Sequence, residues 1–402
     1  MKSGIFKYLA VWSLIFYSIP IRAQYDSARY DRPSLCLMMV ARQEMAFSIE
    51  IEEVFRNMDM PERFNDHSLG VRVFKVPQDG KPVLDAIISF SEHAEIAKKM
   101  VSKWFDRDKA SGCFNTHLIQ ERGLYNATIP DALVAMQTIR GQAVLADAGE
   151  KLISRTFLVV NEYKYKKTYS SKKDNSSQEI SKDQLDISNQ QEMDAYNEQL
   201  HGGGRLLSEF SINCTSYLFQ LDWTEDVSGT FYHDYYFSCS EPTPEKIEAF
   251  KQDKKLFRLS YVGMYSDKLS EKNTHHLTTP KLVKKVCVRI TDRNIAKLQH
   301  QFPQFRIKAS LQASEENENI FKAYVGLKED IKPSSSFEVL EPELLEDGTY
   351  TYKRVGVIQP IDGRIWDNRF MATDEIEQEL DATYFKQISG GQLYPGLLIR
   401  EM

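Results

Sequence analysis

Ser34–Val40, with the sequence SLCLMMV, is a short apolar run directly in front of a helical pattern. The apolar side chains of that pattern recur at the spacing of one helix face and are Phe47, Ile51, Val54, Phe55 and Met58. This spacing predicts an amphipathic helix with one buried stripe. A strand followed by such a helix opens an alternation that continues to the compact strand FLVV at Phe157–Val160. Residues 24–167 are therefore predicted to form one α/β domain.

Further elements of both kinds lie between these two strands. Gly70–Val76 has the pattern of a strand, and the apolar residues of 90–105 line one face of a second helix. Thr128 followed by Pro130 has the features of a helix start, because it offers a capping hydroxyl and then a proline in the first turn. A helical stretch at Gln142–Ser154 leads into the FLVV strand.

Residues 168–205 are predicted to be a polar linker, because this segment holds almost no core-forming side chains. The alternative is a solvated helix around Gln190–Leu200 that stops at the glycines. His201-Gly202-Gly203-Gly204 resembles the HGGG oxyanion loop of lipases and esterases. The chain has no G-x-S-x-G pentapeptide to supply the nucleophile, so the glycines are interpreted as a helix stop or a flexible joint.

Residues 206–315 are predicted to form a mixed α/β region whose clearest feature is an aromatic hairpin. The turn is expected near Val227-Ser228-Gly229. The alternating side chains of the two expected strands are Tyr217, Phe219, Leu221, Trp223, Phe231, Tyr235 and Phe237. A strand near Leu256–Tyr265, a helix around Pro280–His300 and a strand at Phe305–Leu311 follow.

The aromatic side chains of the hairpin are the candidate binding residues. Alternation places Trp223 on the packed face, and it places Tyr232 and Tyr236 on the other face beside Asp234. Aromatic rings on an open face can stack on a sugar or contact a partner protein. Core packing is the favoured interpretation for Trp223 and its face, so the face with Tyr232 and Tyr236 is the better candidate for binding.

Residues 316–402 are dense in short β segments between turn signals, which suits a small closed barrel. The expected strands are Phe321–Val325, Phe337–Leu340, Tyr350–Ile358 and Leu397–Arg400. One helix is expected among them, at Thr373–Leu380. The order Val325-Gly326-Leu327, Phe337-Glu338-Val339, Arg354–Ile358 resembles the SH3-like barrel modules of bacterial envelope proteins, and this resemblance implies fold more than function. The predicted fold class is α+β, with an N-terminal α/β domain, a mixed middle region and a small C-terminal SH3-like β-barrel.

Residues 1–23 have the three parts of a secretory signal. Two lysines precede the apolar run Tyr8–Ile19, and Ala23 is a small residue at the expected cleavage site. The Ala-Gln junction resembles those of exported proteins of Gram-negative bacteria, and Asp26-Ser27-Ala28 is similar to the O-glycosylation triplet of Bacteroides-like species. We expect a periplasmic or secreted protein, cleaved after Ala23, with no transmembrane span in the mature chain.

The five cysteines all follow the expected cleavage site and are Cys36, Cys113, Cys214, Cys239 and Cys287. An odd count in an oxidising compartment leaves at least one cysteine unpaired. A bridge between Cys214 and Cys239 across the hairpin would need a β-bulge, because the register puts the two on opposite faces. Free, buried cysteine is the favoured interpretation of this pair.

The remaining patterns predict neither a metal nor a cofactor. The net charge of -6 speaks against a dedicated nucleic-acid binder. No H-E-x-x-H or C-x-x-C occurs, and the pair His275-His276 is interpreted as solvated. The acids near the hairpin tip could hold calcium weakly, with solvation as the favoured alternative, and they are Asp222, Glu225, Asp226 and Asp234.

These observations predict an exported, non-enzymatic binding or assembly protein of a bacterial cell envelope, with a protein or glycan partner. The alternative is a hydrolase of polysaccharide or peptide that uses paired carboxylates in an interdomain cleft. A second alternative is an adaptor that self-associates through its polar linker.

Overall fold

The structure is a computed structural model of the 402-residue chain. The residues that it describes are 30–31, 33–41, 47–61, 64–70, 72–75, 82–126, 150, 152–172, 205–240, 243–272, 277–306, 308–314, 316, 319–344, 350–369, 371–372 and 380–402. Several predicted features lie outside these residues. They are the signal peptide with its cleavage site, the helix start at Thr128, most of the helix at 142–154, the glycine triplet at 202–204, the pair His275-His276 and most of the helix at 373–380.

Strands and helices alternate along the described residues. The strands are β1 (Tyr30–Asp31), β2 (Ser34–Ala41), β3 (Asn65–Asp66), β4 (Val73–Lys75), β5 (Thr156–Lys172), β6 (Arg205–Leu221), β7 (Leu259–Lys272), β8 (Lys308–Ser310), β9 (Gln312–Ala313), β10 (Ile320–Ala323), β11 (Phe337–Leu344), β12 (Tyr350–Pro360), β13 (Thr383–Gly390) and β14 (Leu398–Glu401). The α-helices are α1 (Ser48–Arg56), α2 (Val83–His93), α3 (Ile96–Trp104), α4 (His117–Asn126), α5 (Glu225–Thr230), α6 (Pro244–Gln252) and α7 (Thr279–Gln301). A π-helical turn, Phe231–Tyr235, follows α5 directly.

A mixed six-stranded sheet forms the centre of the first unit, by which we mean this sheet and the helices that pack on it. Its order is β3-β2-β5-β6-β7, with β4 also beside β2. Strands β3, β4 and β5 run parallel to β2, whereas β6 and β7 are antiparallel to their neighbours. Every residue of β2 is buried, which explains why SLCLMMV carries no charge.

Helices cover this sheet from both sides. Alternate side chains of β2 serve two cores: Cys36 and Met38 pack with α2 and α3, and Leu35 and Leu37 pack with α1 and α7. We call these sides the α3 face and the α7 face. Burying apolar surface on both faces is the main force that holds the layers together.

Helix α7 lies between the sheet and the C-terminal barrel, so it is buried on more than one side. Its 23 residues include buried Val286 and Ile290, which pack in the core of the α7 face. Toward the barrel it presents charges: Lys297 pairs with Asp330, and Asp292 lies 3.6 Å from the ammonium of Lys328.

The C-terminal strands form a nearly closed antiparallel barrel. The strand order is β1-β8-β14-β11-β12-β13-β10-β9. Leu311 alone separates β8, next to one end of this order, from β9 at the other end, so one chain segment brings the two sides of the barrel together. Leu311 also donates its N–H to the carbonyl of Leu397 at 2.7 Å. The predicted α+β class with a small C-terminal barrel is confirmed, although the barrel has more strands than the four or five expected.

Some predicted boundaries differ from the observed ones. The apolar stripe at 90–105 belongs to two helices rather than one, because Glu95 has a left-handed backbone (φ 51°) and interrupts them. The strand predicted at Phe305–Leu311 lies in the barrel rather than in the middle region, because its observed part, β8, pairs with β14 and β1. Residues 168–172 of the predicted linker are part of β5, where pairing with β6 satisfies their backbone polar groups.

Candidate functional site

The predicted aromatic hairpin is wrong beyond Leu221, where β6 ends. The chain enters α5 instead, and the expected turn at residues 227–229 lies inside that helix. The Thr224 hydroxyl accepts the N–H of Val227 at 3.3 Å and so caps the helix. Glu225 and Asp226 follow in the first turn, where acidic side chains favour the helix start.

The structure does not gather the four candidate residues on one surface. Trp223 is only 9% exposed, and its ring lies 5.6 Å from that of Phe231 in the core of the α3 face. Tyr232 and Tyr236 are half-buried and pack against each other, with ring centroids 5.3 Å apart. Asp234 is exposed and hydrogen-bonds the neighbouring His233 at 2.6 Å. Their role as binding residues stays a prediction.

A disulfide closes this aromatic cluster. It joins Cys113 to Cys239, and the N–H of Phe114 bonds the carbonyl of Phe237 beside it. Cys214 and Cys239 are therefore not bridged to each other, as the register of the expected hairpin predicted. The other three cysteines are free and buried, and they are Cys36, Cys214 and Cys287. Reading Cys214 as a free buried cysteine is confirmed, whereas the same reading of Cys239 is wrong.

The acids near the expected hairpin tip have structural roles. Asp222 accepts a hydrogen bond from the Ser260 hydroxyl of β7 at 2.6 Å. Glu225 and Asp226 stabilise the start of α5. Within the described ranges, no three side chains of His, Cys, Asp and Glu come together as a metal site would require. None of the helices in those ranges has the length and apolar character needed to cross a bilayer.

Strands β5, β6 and β7 carry a polar surface on one side of the sheet. The side of these strands that belongs to the α3 face extends beyond α2 and α3. Along it, the side chains are apolar near the helices and polar further away. Register aligns them in rows across the three strands: Val160 with Tyr217 and Met264, Glu162 with Thr215 and Ser266, Lys164 with Asn213 and Lys268, Lys166 with Ser211 and Ser270. We call the last three rows, from Glu162 to Ser270, the lysine face.

Strand alternation creates this face. The neighbouring side chains Tyr163, Ile212 and Cys214 point to the opposite side, where they are buried. The α7 face is therefore covered, while the lysine face remains accessible: Lys164, Lys166 and Lys268 are all exposed.

Hydroxyl and amide groups lie between the lysines. The Ser211 hydroxyl bonds that of Ser270 at 2.7 Å, and the Thr215 hydroxyl bonds that of Ser266 at 3.0 Å. Asn213 accepts a further bond from Ser266 at 3.3 Å. These cross-strand bonds hold the side chains flat against the sheet, and each hydroxyl oxygen keeps a lone pair for a ligand.

Charge on this face is positive, although the whole chain carries -6. Lys164 lies 3.5 Å from the buried carboxylate of Glu162. Lys166 and Lys268 have no carboxylate within salt-bridge distance among the described residues. Lys164 and Lys268 are two strands apart, so their Cα atoms are separated by roughly 10 Å, and Lys166 is about 7 Å further along its strand.

An apolar border closes one end of the lysine face. Tyr261 is 42% exposed, Met264 is 51% exposed, and the Tyr261 ring lies 5.4 Å from that of Phe219. A register shift between Leu218 and Phe219 moves Tyr261 to this position. The lysine face and its border thus combine cations, hydroxyls and one accessible aromatic ring.

No protein-family model matches the chain, and no similar protein is found among the curated ones.

Sequence reasoning missed the lysine face. The predicted strand Phe157–Val160 is shorter than β5, although Tyr163 and Tyr165 alternate with Lys164 and Lys166. That alternation is the signal that could have extended the strand. The predicted hairpin pairs β6 with the segment after Gly229 instead of with β5 and β7. The rows across the three strands therefore could not be aligned.

Proposed function

We propose that this protein is an exported, non-enzymatic binding protein of a cell envelope and that it binds an acidic glycan on the lysine face. The observation that carries this proposal is the set of exposed lysines on β5 and β7, the two outer strands of three that are paired in register. A flat face suits an extended, flexible polymer better than a small molecule, which usually needs a concave pocket.

The chemistry of the face matches a charged sugar chain. Lysines spaced roughly 7 to 10 Å apart can contact several carboxylates of one polymer at once. Serine, threonine and asparagine side chains exchange hydrogen bonds with sugar hydroxyls. The exposed ring of Tyr261 offers a surface on which a sugar can stack.

Affinity should come from many weak contacts. An exposed ion pair contributes about 0.2 to 1 kcal/mol. Two lysines that each lose one such contact therefore change the dissociation constant by roughly 2- to 30-fold. Binding should also weaken as salt is added, because exposed charges are screened.

The test measures binding of oligogalacturonate, a linear chain with a carboxylate on every sugar, by isothermal titration calorimetry. Neutral dextran oligomers and single-stranded DNA serve as comparison ligands. The test variant is Lys166→Ala with Lys268→Ala. The matched control is Lys99→Ala with Lys386→Ala, which removes two exposed lysines from α3 and β13.

We expect the wild-type protein and the control variant to bind oligogalacturonate equally, and the test variant to bind it about tenfold more weakly. Neutral dextran should not bind measurably. Equal affinity of the test variant would refute the assignment of the face, and DNA binding as tight as that of the glycan would refute the ligand class. Release of new reducing ends would contradict the non-enzymatic proposal and favour the hydrolase alternative.

A further inference from the structure

The barrel is joined to the first unit along one edge. Among the described residues the chain passes between the two parts twice, from Asp31 of β1 to Ser34 of β2 and from Arg306 to Lys308 of β8. Strands β1 and β8 pair with each other, with Asp31 opposite Lys308, so the two passages lie side by side. Two adjacent passages allow the barrel to rotate about one line, which is the geometry of a hinge.

The end of this hinge that belongs to the first unit is held in place. The Arg306 guanidinium donates to the carbonyls of Gln299 and His300 in the last turn of α7, at 3.3 and 2.9 Å. The carbonyl of Arg306 accepts a hydrogen bond from Nη2 of Arg155 at 3.2 Å. Arg306 therefore moves with the first unit, and the pivot lies between Arg306 and Lys308.

Separate apolar cores lie on the two sides of the junction. The core of the α7 face and the core of the barrel have no residue in common among those described. Where α7 meets the barrel, a cavity of about 60 Å³ opens between His300 on one side and Phe337 and Ile399 on the other. Tightly packed protein interiors have few voids of this kind. Close apolar packing is therefore not the main contact between α7 and the barrel.

Helix α7 turns opposite sides to the sheet and to the barrel. Cys287 and Leu298 pack in the core of the α7 face. Asp292 and His300 lie on the other side of the helix, about two turns apart, and each pairs with a residue of the barrel. Ala296 lies midway between them on the same side and is only 1% exposed, so the barrel covers it.

Polar side chains make the contact across this junction. Three pairs link α7 to the barrel within the described ranges, and they are Lys297 with Asp330, Asp292 with Lys328 at 3.6 Å, and His300 with Glu401 at 3.2 Å. The last is an ion pair when the imidazole is protonated. All six side chains are between 10% and 34% exposed, so water and salt reach them. Added salt screens pairs of this kind.

We propose that the barrel is a hinged domain, that these three pairs hold it against α7, and that it swings away from α7 as the ionic strength rises. We call the three pairs the latch. Opening about the paired edge of β1 and β8 uncovers the side of α7 that carries Asp292, Ala296 and His300, while both cores stay folded. The ionic strength of the surroundings therefore sets how often this side of α7 is accessible.

The test compares how fast N-ethylmaleimide alkylates three buried thiols of the full chain, measured by mass spectrometry without reductant. Ala296→Cys places a thiol on the covered side of α7. In a separate variant, Ala323→Cys places one at a 0% exposed position of the barrel core, where it reports on unfolding of the barrel. The native Cys287 is free and buried in the core of the α7 face, so it reports on unfolding of the first unit.

The latch is weakened by Asp330→Asn with Glu401→Gln, which neutralises one partner in two of its pairs. The matched control is Glu316→Gln with Glu338→Gln, which neutralises two carboxylates that pair with arginines of the barrel itself. Both double variants are made in the Ala296→Cys and Ala323→Cys backgrounds, and each protein is measured in 0.05 M and 1 M KCl.

We expect Ala296→Cys to react at least threefold faster in 1 M than in 0.05 M KCl, because the Debye length falls to about 3 Å. In 0.05 M KCl the weakened latch should raise this rate about tenfold, within the roughly 2- to 30-fold range that two partly exposed ion pairs provide. The control double variant should leave the rate unchanged. Cys287 and Ala323→Cys should react at least tenfold more slowly than Ala296→Cys.

Three results would overturn the proposal. They are a rate at Ala296→Cys that salt does not change, equal rates in the latch and control variants, and reaction of Ala296→Cys only together with Cys287 or Ala323→Cys, which would indicate unfolding. Small-angle X-ray scattering tests the hinge without any new cysteine. The radius of gyration of the unsubstituted chain should increase between 0.05 M and 1 M KCl, and an unchanged radius would also refute the hinge. None of these results bears on the lysine face, because no glycan is present.

Discussion

Removing the disulfide between Cys113 and Cys239 should destabilise the first unit strongly. The bridge closes a loop with a sequence separation of 126 residues. It ties the segment before α4 to the segment after the π-helical turn, next to the hydrogen bond from Phe114 to Phe237. The double variant Cys113→Ser with Cys239→Ser removes the covalent link and keeps the size of the side chains similar.

The magnitude follows from the loop. In the chain-entropy model, a loop of this length restricts the unfolded chain by about 5 kcal/mol at 25 °C. Native disulfides usually contribute somewhat less than this limit. We therefore expect the free energy of unfolding to fall by about 3 to 5 kcal/mol and the unfolding temperature to fall by about 10 °C.

The assay is chemical unfolding of the wild-type protein and the double variant, followed by tryptophan fluorescence, with and without reductant. Reductant should lower the stability of the wild-type protein to that of the variant and leave the variant unchanged. Thiol titration gives an independent count: the unfolded, unreduced wild-type chain should show three reactive thiols and the native one none, because Cys36, Cys214 and Cys287 are buried. A loss below 1 kcal/mol, or five thiols in the unreduced chain, would refute the pairing.

Two further predictions concern stability. His67 is fully buried, accepts from Arg122 and donates to the Met100 carbonyl, and its pKa is well below the usual value because of burial and then the Arg122 charge. Near pH 6 the His67 imidazole takes up a proton only in the unfolded chain. The free energy of unfolding should therefore fall by about 2 kcal/mol between pH 7 and pH 5. Denaturant unfolding measured at a series of pH values should show this loss, and the loss should be smaller in His67→Gln. Gly263→Ala should lower the free energy of unfolding by about 1 to 3 kcal/mol, because a methyl group would overlap the Phe302 ring. Gly229→Ala lies in open space on α5 and should raise the free energy of unfolding by up to about 1 kcal/mol. Equal unfolding temperatures for the two variants would contradict the described packing.

The elements with strong periodicity were predictable. Strand β2 and helix α1 follow from uninterrupted apolar patterns, and α7 follows from the stretch between Pro280 and His300. Each of these segments has one hydrophobic pattern that suits one secondary structure. The C-terminal barrel was predictable as a class, because short strands with frequent turn signals have few other packings.

The aromatic segment was not predictable from alternation alone. Phe231 and Tyr235, and likewise Tyr232 and Tyr236, are spaced four apart, which fits a helical turn as well as a strand. The capping hydroxyl of Thr224 favours the helical turn over the strand. This is a local signal that the alternation of the aromatic side chains does not contain. The disulfide depends on a contact between distant segments, which five cysteines in one sequence do not define.

The candidate site could not be predicted from the sequence, because it depends on the register of three strands. Lys164, Asn213 and Lys268 are far apart in the sequence and meet only because β6 pairs on both sides. A one-residue slip of either pair would turn these side chains to the buried face.

The most direct test of the lysine face is protection of lysines from chemical modification. The native protein is reductively methylated with and without oligogalacturonate, and each lysine is quantified by mass spectrometry after digestion. We expect the glycan to reduce modification of Lys166 and Lys268 at least threefold and to leave Lys99 and Lys386 unchanged. Equal modification of Lys166 and Lys268 with and without the bound glycan would contradict the proposed binding face.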